Sequence, residues 1–340
     1  MGTASANRAR HRRGVDHTAD EMVWVPGGSF VMGSDRHYPE EAPAHRVAVE
    51  GFWIDRHPVT NEKFSRFVAE TGHVTVAERP PDPESYPDAR PELLVPTSAV
   101  FRKPRPPVDL GDAYRWWVAV PGAQWRHPRG PQSSLRGLDR HPVLHVAWED
   151  VEAYARWAGK DIPTEAEWER ACRGGGPDDA EFAWGDELTP HGRHMANTWQ
   201  GEFPVENLAL DGHEYTSPVR SFPPNGYGLF DMIGNVWEWT ADWYQDHSQH
   251  ATACCGASDP RDGDQETTHQ PGAPGGPIPR RVIKGGSHLC APNYCRRYRP
   301  AARMGQAVDT STSHLGFRCI RRPTGSHQVS DAPPDAGIPL

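Results

Sequence analysis

Thirteen tryptophans, running from Trp24 to Trp243, are set in a chain that also carries 33 glycines and 35 prolines. That juxtaposition constrains the fold more than any other feature. Glycine and proline at this density interrupt helices and strands. With the low mean hydropathy of the chain, they would on their own suit disorder. The indole rings exclude that, because each buries a large apolar area that offsets much of the entropy lost on ordering. The expectation is a compact, loop-rich domain with an aromatic core.

At 340 residues the chain is long enough for one large domain or two modest ones. Residues 1–21 read as a disordered basic leader and 323–340 as a disordered tail, with a single domain over 22–322. Turn signals at Pro26-Gly27-Gly28 and Gly33-Ser34 separate short alternating runs, Val47-Ala48-Val49 and Phe52-Trp53-Ile54, that predict strands. Three helices are expected. The first spans about Asn61 to Glu70, with Thr60 as cap and Gly72 as stop. The second runs from Glu149 to Ala158 and ends at Gly159. The third follows Thr164, which with Glu167 forms a capping box, and reaches about Arg173. The Pro-rich acidic stretch 78–96 and the Gly/Pro/Asp-rich stretch 247–279 read as insertions. Beyond Gly176 only turns and short strands are expected.

The net charge of −9 argues against nucleic-acid binding, which needs concentrated Lys and Arg. No run approaches the roughly 18 apolar residues of a membrane span. Arg8, Arg10, Arg12 and Arg13 have no apolar run behind them, so neither a secretory nor a twin-arginine signal is complete, and a cytoplasmic location is expected. Six cysteines are too sparse for a disulfide scaffold.

Chemistry concentrates in Lys284-Gly285-Gly286-Ser287-His288-Leu289-Cys290-Ala291-Pro292-Asn293-Tyr294-Cys295-Arg296-Arg297-Tyr298-Arg299. Neither a strand nor a helix brings two thiols at this spacing together, but a turn at Pro292-Asn293 does. Arg296, Arg297 and Arg299 favour the thiolate form, and paired thiolates suit copper(I). Ser287 and His288 add hydrogen-bonding groups beside the first thiol. The competing reading is a buried core cysteine beside an incidental one. Asp231 and Glu238 flank a Gly-containing turn able to offer oxygens to a hard cation, and Asn197 with Asp211 form a similar pair. For both pairs, ordinary turn chemistry is the plainer alternative. The 18 histidines include no recognisable metal-ligand spacing.

These blocks, with Pro-Thr-Glu-Ala-Glu-Trp-Glu at 163–169, Gly-Asn-Val-Trp-Glu-Trp at 234–239 and Leu315-Gly316-Phe317-Arg318, resemble the formylglycine-generating enzymes, the sulfatase-modifying factor family, in its bacterial aerobic form. The resemblance covers roughly 22–322. It implies a mixed α+β fold, loop-rich and distantly akin to C-type lectins. It also implies oxidation of a cysteine in the Cys-x-Pro-x-Arg motif of an unfolded sulfatase to Cα-formylglycine, with dioxygen and a thiol reductant. Cys290 and Cys295 would hold copper(I), Ser287 would lie in the oxygen pocket, and Trp237 would form part of its wall. One structural calcium would take Asn197 and Asp211 with the carbonyls of Thr198 and His213. A second would take Asp231 and Glu238 with the carbonyls of Gly234 and Val236. A monomer is expected.

Two departures from the animal enzymes accompany the resemblance. Ala291 stands where they have His after the first catalytic Cys. Ala155 and Pro300 stand where the disulfide partners of Cys319 and Cys172 would be, so neither bridge can form. Two rival readings are a sulfoxide synthase, which needs iron ligands from an additional helical domain not seen before residue 22, and a non-catalytic ligand- or peptide-binding module of the same superfamily.

Overall fold

The computed structural model describes residues 21–247, 268 and 278–323. The leader apart from Glu21, the tail beyond Pro323 and most of the 247–279 stretch lie outside the described residues. Four strands open the fold: β1 (Met22–Val25), β2 (Gly28–Met32), β3 (His45–Val49) and β4 (Phe52–Asp55). Then come helix α1 (Asn61–Thr71), strands β5 (Thr97–Phe101) and β6 (Trp117–Pro121), and helices α2 (Trp148–Ala158) and α3 (Glu165–Arg173). Strands β7 (Trp237–Trp243), β8 (Arg280–Lys284), β9 (Arg303–Ala307), β10 (Leu315–Gly316) and β11 (Ile320–Arg321) complete it.

The helices begin and end where local chemistry dictates. Thr60 Oγ1 accepts the Lys63 N–H at the start of α1, and Gly72 closes it. At α3, Thr164 Oγ1 accepts from Glu167 N (3.2 Å) while Glu167 Oε2 accepts from Thr164 N (2.7 Å), each satisfying a donor the helix start leaves unpaired. Ala147, preceding α2, has no capping oxygen. The Asp150 carboxylate takes over, accepting from Ala147 N (2.9 Å) and Val76 N (3.1 Å). The 78–96 stretch is largely exposed turns and short 3₁₀ segments leading into β5.

Strands β1, β4 and β11 form one sheet, with β4 central and antiparallel to both neighbours. A second sheet runs β10-β7-β8-β9, with β10 parallel to β7. The hairpins β2-β3 and β5-β6 stand apart. Between these layers Phe64 meets Phe67, Trp125 and Tyr154, and Tyr154 meets Phe317. Trp116, Trp125, Trp168, Trp199, Trp237 and Trp239 are buried. Not every indole enters the core. Trp24 and Trp53, opposed across β1 and β4, remain 41% and 44% exposed, stabilised by ring contact with each other at 5.5 Å.

Candidate active site

Strand β8 delivers the chain to Gly285 and Gly286, whose φ angles of 92° and 69° favour glycine. Space demands it too. A Cβ on Gly286 would fall 2.8 Å from the Arg297 carbonyl oxygen, so only hydrogen there lets the start of the loop pack against its end. The loop then turns twice. Cys290 N donates to Ser287 O (2.9 Å), and both Tyr294 N and Cys295 N donate to Ala291 O (3.1 and 2.9 Å). The second turn encloses Pro292 and Asn293 and brings the two sulfurs to 3.4 Å, a thiol hydrogen-bond distance and far beyond a disulfide bond.

The two sulfurs differ in environment. Cys290 is 2% exposed and receives the Ser287 N–H at 3.4 Å. Cys295 is half-buried, with the exposed Tyr294 beside it. The hydrogen bond from the Cys290 thiol pulls Cys295 down to about 6, against the effect of burial, and Arg297 adds to the shift. Cys290, as donor and buried, is held well above the ordinary thiol range. The pair therefore loses one proton readily and the second reluctantly. Of the three expected arginines only Arg297 reaches sulfur, at 3.8 Å. Arg296 pairs with Glu181 and Arg299 with buried Glu41, so these two leave the thiols because carboxylates claim them. Arg297 is itself held by Glu40 (Nε–Oε1 3.1 Å) and lies 3.9 Å over the Tyr38 ring.

Ser287 is fully buried beside Cys290. His288 does not join it, because its Nδ1 is bonded to the Asn235 carbonyl at 2.8 Å; burial lowers that ring to about 4, which keeps it neutral. Trp237 packs in the same apolar cluster as Cys290, its backbone N–H donating to His314 O at 2.9 Å. The His314 ring, one residue before Leu315-Gly316-Phe317-Arg318, brings Nδ1 to 3.4 Å from Ser287 Oγ. Sequence reasoning missed His314, although adjacency to that motif was a usable signal. It also missed Tyr38 and Glu40, for which the sequence held none.

Around the first expected oxygen-donor set, Thr198 and His213 meet Asp211 through their N–H groups, and the Thr198 carbonyl accepts from Gln200 Nε2. Asp211 accepts from Thr198 N (3.1 Å) and Gln200 Nε2 (2.9 Å) through one oxygen and from His213 N (2.9 Å) through the other. Asn197 donates to Tyr215 O, while its own Oδ1 is buried without a partner among the described residues. A buried amide oxygen left without a donor is one kind of oxygen ligand a hard cation takes. The second set is knit by Arg318, which donates through Nε and Nη2 to Glu238 (2.7 Å each) and through Nη2 to the Asp231 carbonyl (3.1 Å). Trp168 Nε1 also donates to Glu238 (2.9 Å). Gly234 backs onto the Asn197 carbonyl, linking the two sets with Val236 between Gly234 and Glu238. Burial lifts Asp231 to about 6, with nearby Glu238 adding to the rise.

Residues 8–323 match the sulfatase-modifying factor enzyme 1-like domain. The chain is 52% identical to the formylglycine-generating enzyme of Mycobacterium tuberculosis, over 89% of this chain and 98% of that one. It is 45% identical to that of Thermomonospora curvata, over 92% and 97%. Among solved structures, PvdO from Pseudomonas aeruginosa is similar with a TM-score of 0.58 and 28% identity, covering 88% of this chain and 93% of that one.

Proposed function

The chain belongs to the sulfatase-modifying factor enzyme 1-like family, and we propose that it oxidises a cysteine of a sulfatase polypeptide to Cα-formylglycine. The observation that carries this reading is the Cys290–Cys295 pair, free and 3.4 Å apart at the edge of the core. The substrate is an unfolded segment with a Cys-x-Pro-x-Arg motif, acted on by a monomer in the cytoplasm. The reaction balances as peptide –CH2–SH plus dioxygen plus two external thiols giving peptide –CHO, hydrogen sulfide, one disulfide and water.

Copper(I) fits the residues present, since two thiols in one turn, one of them readily ionised, are the soft donors this ion selects. Bound by Cys290 and Cys295, it supplies the one-electron chemistry that dioxygen reduction needs. The chain's own groups do the rest. Half-buried Cys295 lies at the accessible edge of the pair, Arg297 balances its charge, and buried Ser287 and Trp237 keep the inner side dry. Calcium fits the first oxygen-donor set through the orphaned Asn197 oxygen. In the second set, Arg318 pairs with the Glu238 carboxylate and meets Asp231 only at its backbone carbonyl, so the Asp231 carboxylate, held by the Arg220 N–H, is the negative charge that a divalent cation would neutralise.

The test is incubation of the copper-loaded protein with a Cys-x-Pro-x-Arg peptide, a thiol and air, followed by capture of aldehyde with an aminooxy reagent. Captured peptide is expected. Its absence while copper is demonstrably bound would remove the activity.

A further inference from the structure

Ser287 Oγ is buried and accepts the Leu289 N–H at 3.2 Å. Its side-chain partner among the described residues is His314 Nδ1, at 3.4 Å. A hydroxyl oxygen has two lone pairs and one hydrogen, so the direction of the His314 bond decides what the serine can offer to anything bound beside Cys290. If the ring accepts, the serine hydrogen is spent on it. If the ring donates, both lone pairs are filled and the hydrogen is left over.

The surroundings hold the ring in place. Its carbonyl accepts from Trp237 N, its own N–H donates to Thr312 Oγ1 at 3.4 Å, and its ring packs edge-on against Trp117 at 4.6 Å. It is half-buried, and Nε2, which has no protein partner among the described residues and is not among the buried unpaired atoms, can accept from water. Burial together with the neighbouring His288 and His145 keeps it neutral. A neutral ring carries one N–H, and the choice of nitrogen is therefore a switch with two settings.

We propose that His314 is a positioning residue for the cysteine oxidation. Its Nδ1–H donates to Ser287 Oγ, fills the remaining lone pair and leaves the serine O–H as an obligate donor to whatever is held next to Cys290. This rests on the function proposed above. The departure at Ala291 gives it added weight, because an alanine directly after the first thiol offers no side-chain donor, whereas Ser287 already meets Cys290 through its backbone N–H at 3.4 Å.

The deciding experiment pairs nitrogen NMR with kinetics. In the metal-free wild-type protein, His314 is expected as the Nδ1–H tautomer, with its resonances assigned by their loss in His314→Asn. Ser287→Ala should shift it toward Nε2–H. In the copper-loaded enzyme, His314→Ala should lower kcat about tenfold, the effect of one misdirected hydrogen bond, with KM unchanged. His314→Asn, whose amide N–H can stand where Nδ1–H stood, should recover to within about threefold of wild type. Copper(I) binding should be the same in all three. An Nε2–H tautomer in the wild type, or full kcat in His314→Ala, would overturn the assignment. A wild-type enzyme that converts no peptide would instead sink the function itself, and the tautomer measurement would still decide the role of His314.

Discussion

Arg297 bridges Cys295 and Glu40, placing Nη1 3.8 Å from the sulfur while Nε and Nη2 hold the carboxylate. A cation fixed in this way favours the thiolate over a range of pH where a free cysteine stays protonated. In metal-free protein, alkylation of Cys295 by iodoacetamide should therefore rise with pH around an inflection near about 6. Arg297→Gln should move that inflection upward by about one unit, so the variant should react more slowly at pH 7. The pH dependence of alkylation of each protein measures both.

Cys290→Ala and Cys295→Ser should each abolish peptide oxidation and stoichiometric copper(I) binding. Both are small, nearly isosteric changes in a turn held by the backbone bonds to Ala291 O. The thermal midpoint should consequently stay within about 2 °C of wild type, equivalent to about 1 kcal/mol for a chain of this size. Calorimetry and a competitive copper titration check the two halves separately.

If calcium fills the orphaned Asn197 oxygen, adding it to chelator-treated protein should raise the thermal midpoint, by an amount corresponding to about 2.7 kcal/mol at a hundredfold excess over Kd. Asn197→Ala should lose most of that response while keeping its fold. Melting curves with and without the ion, on both proteins, provide the comparison.

In calcium-free protein, removing Arg318 leaves buried Glu238 with the Trp168 indole N–H but no cation among the described residues. Arg318→Met should destabilise the protein by about 3–5 kcal/mol, and the double variant with Glu238→Gln should recover part of that loss because no buried charge remains unpaired. Urea unfolding of the two variants and the wild type resolves the difference.

What could be read from the sequence was local. Thr60, Thr164 with Glu167, and Gly72 and Gly159 mark the helix ends because caps act within four residues of themselves. The Cys290–Cys295 turn was legible for the same reason. Partners distant in the chain were not. Glu40 and Tyr38 come from the segment between β2 and β3 to meet Arg297, and nothing along the chain encodes that meeting. Strand β7 misleads in another way. Its alternation would put Glu238 and Thr240 toward solvent, yet both are fully buried, because Arg318 and the Val282 carbonyl supply the partners that water would have been. The assignment of three arginines to the thiols failed because proximity in sequence says nothing of the carboxylates Glu181 and Glu41 that draw two of them away.

The most direct test is the mass of a Cys-x-Pro-x-Arg peptide before and after incubation with copper-loaded wild-type protein, thiol and air, beside an identical incubation with Cys295→Ser. The wild type should yield a peptide lighter by about 18 Da, the change from –CH2–SH to –CHO, whereas simple sulfenic oxidation would add about 16 Da, and the variant should leave the peptide unchanged. An unaltered peptide from wild-type protein carrying one copper per chain, or equal conversion by Cys295→Ser, would contradict the account.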